Sequence, residues 1–453
     1  MVFSICRRAL SGSIVGLAAL VCQAAFPSAK ASAQGLEPIL ATFARPQPNQ
    51  TSAEFGKAVT FLNGHIVVGA PREGLVGAVE FFDGASYAPA HTLFGLGLDG
   101  FGEYLHNVGL AYGRDRIQDL ILGGPHVQGA LFALKGAGAT YIEETSAVPL
   151  LVPFQPAQFG SAAAVIGDVD GDSLQDYVVG APTYTVPGEI YPRGAAFVIS
   201  GKTASVLSTI VGSLAFGRFG ESVAAVGDYD GDGKGDVAIG APDTSNLAGT
   251  VSIYGSALSF TLPYVQFNGI AQSGSIQRER LGTRLVASDI DCDGVKDLVT
   301  GSYRADIAPF DSAEDGVIRA FRGSALRIGQ VSEIFARSGS QNSQLGLRLV
   351  TVPDINGDRR DDLVTVQWMT GGPQALVSVR VLSGGNGTEI GAHVLPAALD
   401  TTRQVPSLAA GPDKNSDGYG DILLGRPGLD SAELLNGSFF AAQAHETAMQ
   451  ACP

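Results

Sequence analysis

The sequence predicts an all-β fold, a seven-bladed β-propeller of four-stranded blades. Three observations predict it. First, a nine-residue acidic loop between two apolar runs recurs along the chain. Its last aspartates stand at 119, 176, 236, 297, 362 and 421, in steps of 57, 60, 61, 65 and 59 residues. Second, each period reads as four short β segments rich in Val, Ile and Ala, with no helical period. In the third unit these are residues 161–166, 177–180, 195–200 and 205–211. Third, 60 glycines and 23 prolines in 453 residues suit many tight turns, and a 45% hydrophobic content suits a large core. Radial repetition protects sheet edges, and one blade cannot bury both its faces alone, so residues 54–442 are expected to close as one domain.

In chain order, residues 1–33 read as a secretory signal peptide. Arg7 and Arg8 precede a mildly apolar stretch, and Ala31-Ser32-Ala33 is a cleavage site. No later stretch is long and apolar enough to span a bilayer. Losing Arg7, Arg8 and Lys30 leaves 26 cations against 44 acids, a formal charge of −18. Such a surface avoids nucleic acid and anionic membranes but suits cations. Residues 34–53 hold a strand (Leu36–Arg45) and a proline-rich linker. That strand is expected to clasp the ring shut against residues 434–442, and residues 443–453 form a loose tail. Cys292 and Cys452 remain after the signal. Two cysteines make no framework, and they read as separate thiols, with a bridge between them as the alternative.

The units follow. The first, Glu54–Pro71, has an Asn63-Gly64 hairpin turn where the acidic loop would be. The second, Gly100–Pro125, keeps only Asp115 and Asp119. The third carries Asp168, Asp170, Asp172 and Asp176. The fourth carries Asp228, Asp230, Asp232 and Asp236, and the fifth Asp289, Asp291, Asp293 and Asp297. The sixth has Asp354, Asn356, Asp358 and Asp362, and the seventh Asp413, Asn415, Asp417 and Asp421.

Alternating acids in a tight loop can all turn inward on one hard cation. Ca²⁺ takes six to eight oxygens, whereas Mg²⁺ resists so many protein ligands. The absence of His and Cys from these positions argues against zinc. An EF-hand starts similarly but needs Glu at position 12 and flanking helices; Val179 stands there in the third unit, inside a β run. Five loops are therefore expected to hold about five Ca²⁺ ions. Gly171, Gly231, Gly294, Gly357 and Gly418 allow the sharp turning.

The best units open on Phe-Gly and close on Gly-Ala-Pro around the loop, as in Phe159-Gly160 with Gly180-Ala181-Pro182 and Phe219-Gly220 with Gly240-Ala241-Pro242; the closing triplet is altered at Gly123-Gly124-Pro125 and Gly425-Arg426-Pro427 and lost at Gly301-Ser302-Tyr303 and Val366-Gln367-Trp368. This phrase resembles the FG-GAP repeat of integrin α-subunit heads and covers about residues 54–430. Phe55-Gly56 and Phe101-Gly102 match; Leu281-Gly282 and Leu345-Gly346 are near matches, and Gln404-Val405 departs from the pattern. The resemblance implies side-chain ligands at loop positions 1, 3, 5 and 9 and a backbone oxygen at position 7. Position 7 is Leu174, Lys234, Val295, Arg360 and Tyr419, whose side chains do not ligate Ca²⁺. No inserted adhesion domain, anchor or leg segment is read in the chain.

No catalytic set is read. The six histidines are scattered, and no nucleophile elbow, phosphate loop or zinc helix occurs. The longer loops Tyr184–Arg193 and Tyr303–Asp315 are where a partner would bind. The expected function is a secreted, periplasmic or surface-exposed calcium-binding propeller that binds a protein or glycan. The alternatives are a secreted hydrolase or lyase using the propeller face, and a structural module of the cell envelope.

Overall fold

The strands pair into seven four-stranded antiparallel sheets and one two-stranded ribbon. The computed structural model describes residues 37–44 and 53–443, apart from internal segments of which the largest are 108–119, 306–313 and 397–404. All of them fall in one compact unit, Ala33–Pro453. The third blade is typical: Ala163–Gly167, Asp176–Ala181, Ala195–Ile199 and Val206–Val211, within a residue or two of the sequence expectation. The second and third strands are buried throughout, as a strand covered on both faces must be, while the outer strand is mostly exposed.

Six sheets are described with their side chains and pack as blades. The other, Tyr104–Asn107 with Leu120–Gly123, Ala130–Leu134 and Val148–Leu151, is described by its backbone, its side chains beyond Leu120 lying outside the description. Described packing thus makes six blades where the sequence predicts seven. The difference falls on the second repeat, whose remaining loop acids Asp115 and Asp119 lie outside the described residues.

The core lies between blades rather than at a common centre. One cluster joins Ile166, Val178 and Val198 of the third blade to Val223, Val237 and Ile239 of the fourth. Others join the fourth to the fifth, the fifth to the sixth, the sixth to the seventh and the seventh to the first. The motif glycines set how closely blades approach. A Cβ on Gly240 would stand 2.0 Å from the carbonyl oxygen of Gly282 in the next blade, and one on Gly425 would stand 2.1 Å from that of Gly56. The Gly of each Gly-Ala-Pro therefore seats the Gly of the next Phe-Gly, and the second of these contacts joins the last blade to the first. Ser407 Oγ donates to the Gly56 carbonyl at 2.8 Å across the same seam. On the other side of the second repeat, half-buried His106 Nε2 donates to the Gly160 carbonyl at 2.9 Å.

The seam also has the expected clasp. Ile39–Ala44 is the outer strand of the last sheet and pairs with Ser431–Leu435. The sequence places the partner at 434–442, which is corrected here. Asn436 caps a short helix, Gly437–Ala441, by accepting from Ser438 N at 3.0 Å, so the strand ends at Leu435. The expected loose tail falls outside the described residues beyond Gln443.

In every described blade the inner strand runs from the Phe-Gly end to the acidic loop. One face of the molecule therefore carries the Phe-Gly turns and the loops that follow Gly-Ala-Pro. The opposite face carries the acidic loops and the hairpins between third and fourth strands.

Candidate metal centres in the inner hairpin loops

Each acidic loop joins an inner strand to its neighbour and is built by its own carboxylates. Position 1 accepts from backbone N–H groups further on: Asp168 from Gly171 at 2.7 Å, Asp172 at 3.0 Å and Ser173 at 2.8 Å. Asp354 and Asp413 repeat this in the sixth and seventh loops. Position 5 accepts from the N–H of position 7 at 2.9–3.0 Å in all five loops, from Leu174, Lys234, Val295, Arg360 and Tyr419. These are Asx turns, in which short acidic side chains replace backbone partners.

Two positions in each loop lie in the left-handed region. Position 4 is Gly171, Gly231, Cys292, Gly357 or Ser416, and position 6 is Ser173, Gly233, Gly294, Arg359 or Gly418, with φ between +62° and +94°. The sequence shows only the glycines, and the wandering of Gly between positions 4 and 6 was the signal that both turn. Nothing lies within 4 Å of a Cβ built at Gly171, so conformation alone demands glycine there. Ser173→Gly is expected to stabilise the protein by about 0.5–1 kcal/mol and Gly171→Ala to destabilise it by about 1 kcal/mol. Urea midpoints at constant m-value check both.

The ninth aspartates behave differently. Asp176, Asp236, Asp297, Asp362 and Asp421 are completely buried. Each opens the second strand and accepts from the N–H of loop position 2 at 2.8–3.1 Å. Its other oxygen accepts from the hairpin between the third and fourth strands, from Gly201, Ser256, Gly323 and Gly384 at 2.7–3.2 Å, and in the seventh blade from Gly437, which opens the short helix after the third strand, at 3.1 Å. One carboxylate thus fastens the loop to the far hairpin of its blade. The sequence reads this residue as a ligand; its second role was hidden because the hairpin glycines and Ser256 lie 16 to 26 residues away.

Burial raises these carboxyls, against the pull of their backbone hydrogen bonds: Asp236 to about 6, and Asp297, Asp362 and Asp421 to about 7, with Asp176 raised as well. A raised folded-state value means that the native protein holds protons the unfolded chain releases, so without metal stability falls as pH rises from about 4 to 7. Chelator-treated protein is expected to melt higher at pH 5 than at pH 8, and saturating calcium should reverse that order, because protons compete with the ion. Melting curves at the two pH values with and without calcium check it.

The donor sets fit a divalent cation. In the third, fourth and fifth loops one carboxylate oxygen from positions 1, 3 and 9 (Asp168, Asp170, Asp176; Asp228, Asp230, Asp236; Asp289, Asp291, Asp297) lies within 4.8 Å of the others. Oxygens that share an ion at about 2.4 Å stand no further apart than about 4.8 Å. Asp291 Oδ1 is buried with no hydrogen-bond partner among the described residues, a lone pair aimed where an ion would satisfy it. The sixth and seventh loops substitute an amide, and Asn356 and Asn415 donate to Asp358 at 3.2 Å and Asp417 at 2.7 Å. The sequence does not reveal Arg322, which pairs with Asp291 in the fifth loop.

Neighbouring loops are tied to one another. Lys234 Nζ donates to the Val169 carbonyl at 2.5 Å, and Tyr229 Oη to that of Lys296. Ser288 Oγ donates to Asp361, and Lys414 Nζ reaches the Gly64 carbonyl at 3.1 Å across the seam. Cys292 is disulfide-bonded, which corrects the expectation of separate thiols; every other cysteine lies outside the described residues.

The Phe-Gly face bears the loop 184–193, closed by Arg193 on Glu189 at 2.6 and 2.7 Å. Ile190 is 85% exposed, and Tyr191 (56%) stacks on Phe216 (57%) from the next turn with ring centres 5.2 Å apart. Residues 306–313 of the other long loop lie outside the described residues. Among the described histidines, His106 bonds the Gly160 carbonyl and His393 packs edge-on against Phe439; neither faces the acidic loops.

Four-stranded blades joined by Gly-on-Gly seams, with carboxylate loops at one end of each inner strand, define a propeller with cation-type hairpin loops. The FG-GAP repeat family matches residues 219–254, the whole unit from Phe219-Gly220 to the third strand. Integrin alpha-4 of Xenopus laevis is 31% identical over 225 residues, which are 46% of this chain and 20% of that protein. Integrin alpha-PS2 of Drosophila melanogaster is 32% identical over 174 residues, 33% and 12% of the two chains. The solved Dos1 propeller is 11% identical with a TM-score of 0.48, covering 84% of this chain and 77% of that one. The chain carries an FG-GAP repeat at residues 219–254 and resembles the N-terminal propeller of integrin α-subunits, and it spans a fifth or less of the length of these two integrins.

Proposed function

We propose that the protein is a secreted or surface-exposed, seven-bladed calcium-binding propeller whose Phe-Gly face binds a protein. Calcium fills five loops through side-chain oxygens at positions 1, 3, 5 and 9 and the carbonyl of position 7, and its role is structural. The signal-like start and the integrin α relatives support a place outside the cell or at its surface. The backbone of the second repeat supports the seventh blade.

The exposed cluster of Ile190, Tyr191, Leu214 and Phe216 carries the binding reading. Aromatic side chains held by a rigid scaffold are typical anchors of protein interfaces, and large exposed apolar groups standing together mark such sites. Of the two ligand classes read from the sequence, this patch favours protein over glycan. The test is binding to an array of secreted and surface proteins, and to a glycan array, in calcium and in EGTA. The double variant Tyr191→Ser/Phe216→Ser is expected to weaken the strongest protein hit about 30-fold. Its melting temperature should stay close to that of the parent, since surface changes of this kind alter stability by only about 0.5 kcal/mol. Binding that survives the double variant unchanged would place the partner site elsewhere.

A further inference from the structure

The second concentration of charge lies at the propeller axis, at the Phe-Gly ends of the inner strands. Arg284 opens the inner strand of the fifth blade and Arg348 that of the sixth. Arg284 lies 3.9 Å from Glu221 of the fourth blade, and Arg348 is within electrostatic range of the same Glu221, two blades away. Tyr104 of the second repeat senses both Glu221 and Arg218. Groups from repeats two, four, five and six can meet only at the axis.

The charges there do not balance. Lys57 pairs with Glu103 at 3.6 Å and with Glu54 at 3.2 Å. Arg218 holds Glu221 through both Nε and Nη2. Arg284 shares that already committed acid at the limit of ion-pair distance and otherwise donates to the Thr283 carbonyl at 2.8 Å and the Leu347 carbonyl at 3.3 Å. Half-buried Arg348 has no ion pair among the described residues, and its Nη1 donates only to the Leu347 carbonyl at 3.3 Å. Two guanidiniums on adjacent strands are thus turned to the axis of a strongly acidic protein with less than one carboxylate between them. Burial and the neighbouring Arg284 pull the Arg348 guanidinium down to about 9, against the weaker opposing pull of Tyr303 and Glu221.

We propose that Arg284 and Arg348 form an axial receptor for a carboxylate at the Phe-Gly mouth of the propeller. The planar guanidinium forks match the two oxygens of a carboxylate. The carboxylate comes either from a small free acid or from an acidic side chain presented by a polypeptide. This site shares no residue with the exposed aromatic cluster or the calcium loops, so it stands or falls separately from the function proposed above.

Thermal unfolding in calcium tests it with three additives at matched ionic strength: sodium chloride, sodium acetate, and a short peptide with blocked ends and one aspartate. Acetate is expected to raise the melting temperature by several degrees beyond chloride. Arg348→Met should melt higher than wild type without additive, because it removes an uncompensated charge, and should lose the acetate-dependent shift. Arg284→Met supplies the same readout if Arg348→Met does not fold. A peptide shift at a lower concentration than acetate assigns the carboxylate to a polypeptide, and equal or weaker action assigns it to a small acid. No acetate effect beyond chloride, or an equal effect in the methionine variants, overturns the proposal.

Discussion

Removing calcium with EGTA is expected to lower the melting temperature by about 8 °C. Extracellular calcium sites with dissociation constants of about 10⁻⁴–10⁻³ M are filled at millimolar calcium, and each contributes about 1.4 kcal/mol at tenfold its dissociation constant. Five give about 7 kcal/mol. A propeller of this length unfolds with an entropy of about 0.8 kcal/mol/K, which converts that figure to about 8 °C. The effect should be cooperative across blades rather than local. Lys234, Tyr229 and Ser288 tie the third loop to the fourth, the fourth to the fifth and the fifth to the sixth, so an ion that orders one of these loops also holds its neighbour. Without the ion the clustered aspartates repel one another, and the ninth carboxylates stay buried in surroundings that favour their neutral form. A scan in EGTA against one in 5 mM calcium, with magnesium as a control, measures the shift.

Asp236→Ala is expected to destabilise the protein by about 3 kcal/mol or more, with and without calcium. Its carboxylate accepts from Tyr229 N at 2.8 Å, Asp230 N at 3.0 Å and Ser256 N at 3.2 Å. Alanine leaves these donors without a partner in a dry place, at about 1–3 kcal/mol for each buried group. Asp230→Ala removes a carboxylate that accepts only from Asp232 N at 3.2 Å within the loop. Its cost should therefore appear in calcium and almost vanish in EGTA. Asp236→Asn should fall between the two, because the amide oxygen keeps one set of donors and the amide nitrogen loses the other. Denaturant titrations of the three variants in both buffers separate the fastening role of position 9 from the ligand role of position 3.

The repeat was legible because its cause is local. Acids or amides at positions 1, 3, 5 and 9 and a glycine at position 4, position 6 or both suit one tight turn, and they recur wherever that turn recurs. The hairpin at Asn63-Gly64 was legible for the same reason, with φ of +47° and +83°. The parts that were missed depend on distant contacts. Nothing near Asp236 announces Ser256, and nothing near Asp291 announces Arg322. The clasp was placed on the right strand but several residues late, because Leu434–Ala442 reads as one apolar run and only the cap at Asn436 divides strand from helix. The axial arginines gave no signal either. Arg284 and Arg348 stand two residues after Leu-Gly in two departing repeats, and only closure of the ring brings them to a common axis.

The central claim is that the acidic loops are calcium sites that fasten the blades, and counting the ions tests it most directly. Equilibrium dialysis at 5 mM calcium, with metal analysis of the protein compartment against the dialysate, is expected to find about five bound calcium ions per chain and about one fewer for each of Asp170→Ala, Asp230→Ala and Asp291→Ala. Protein that takes up no calcium at that concentration, or whose uptake is unchanged by those substitutions, would contradict it.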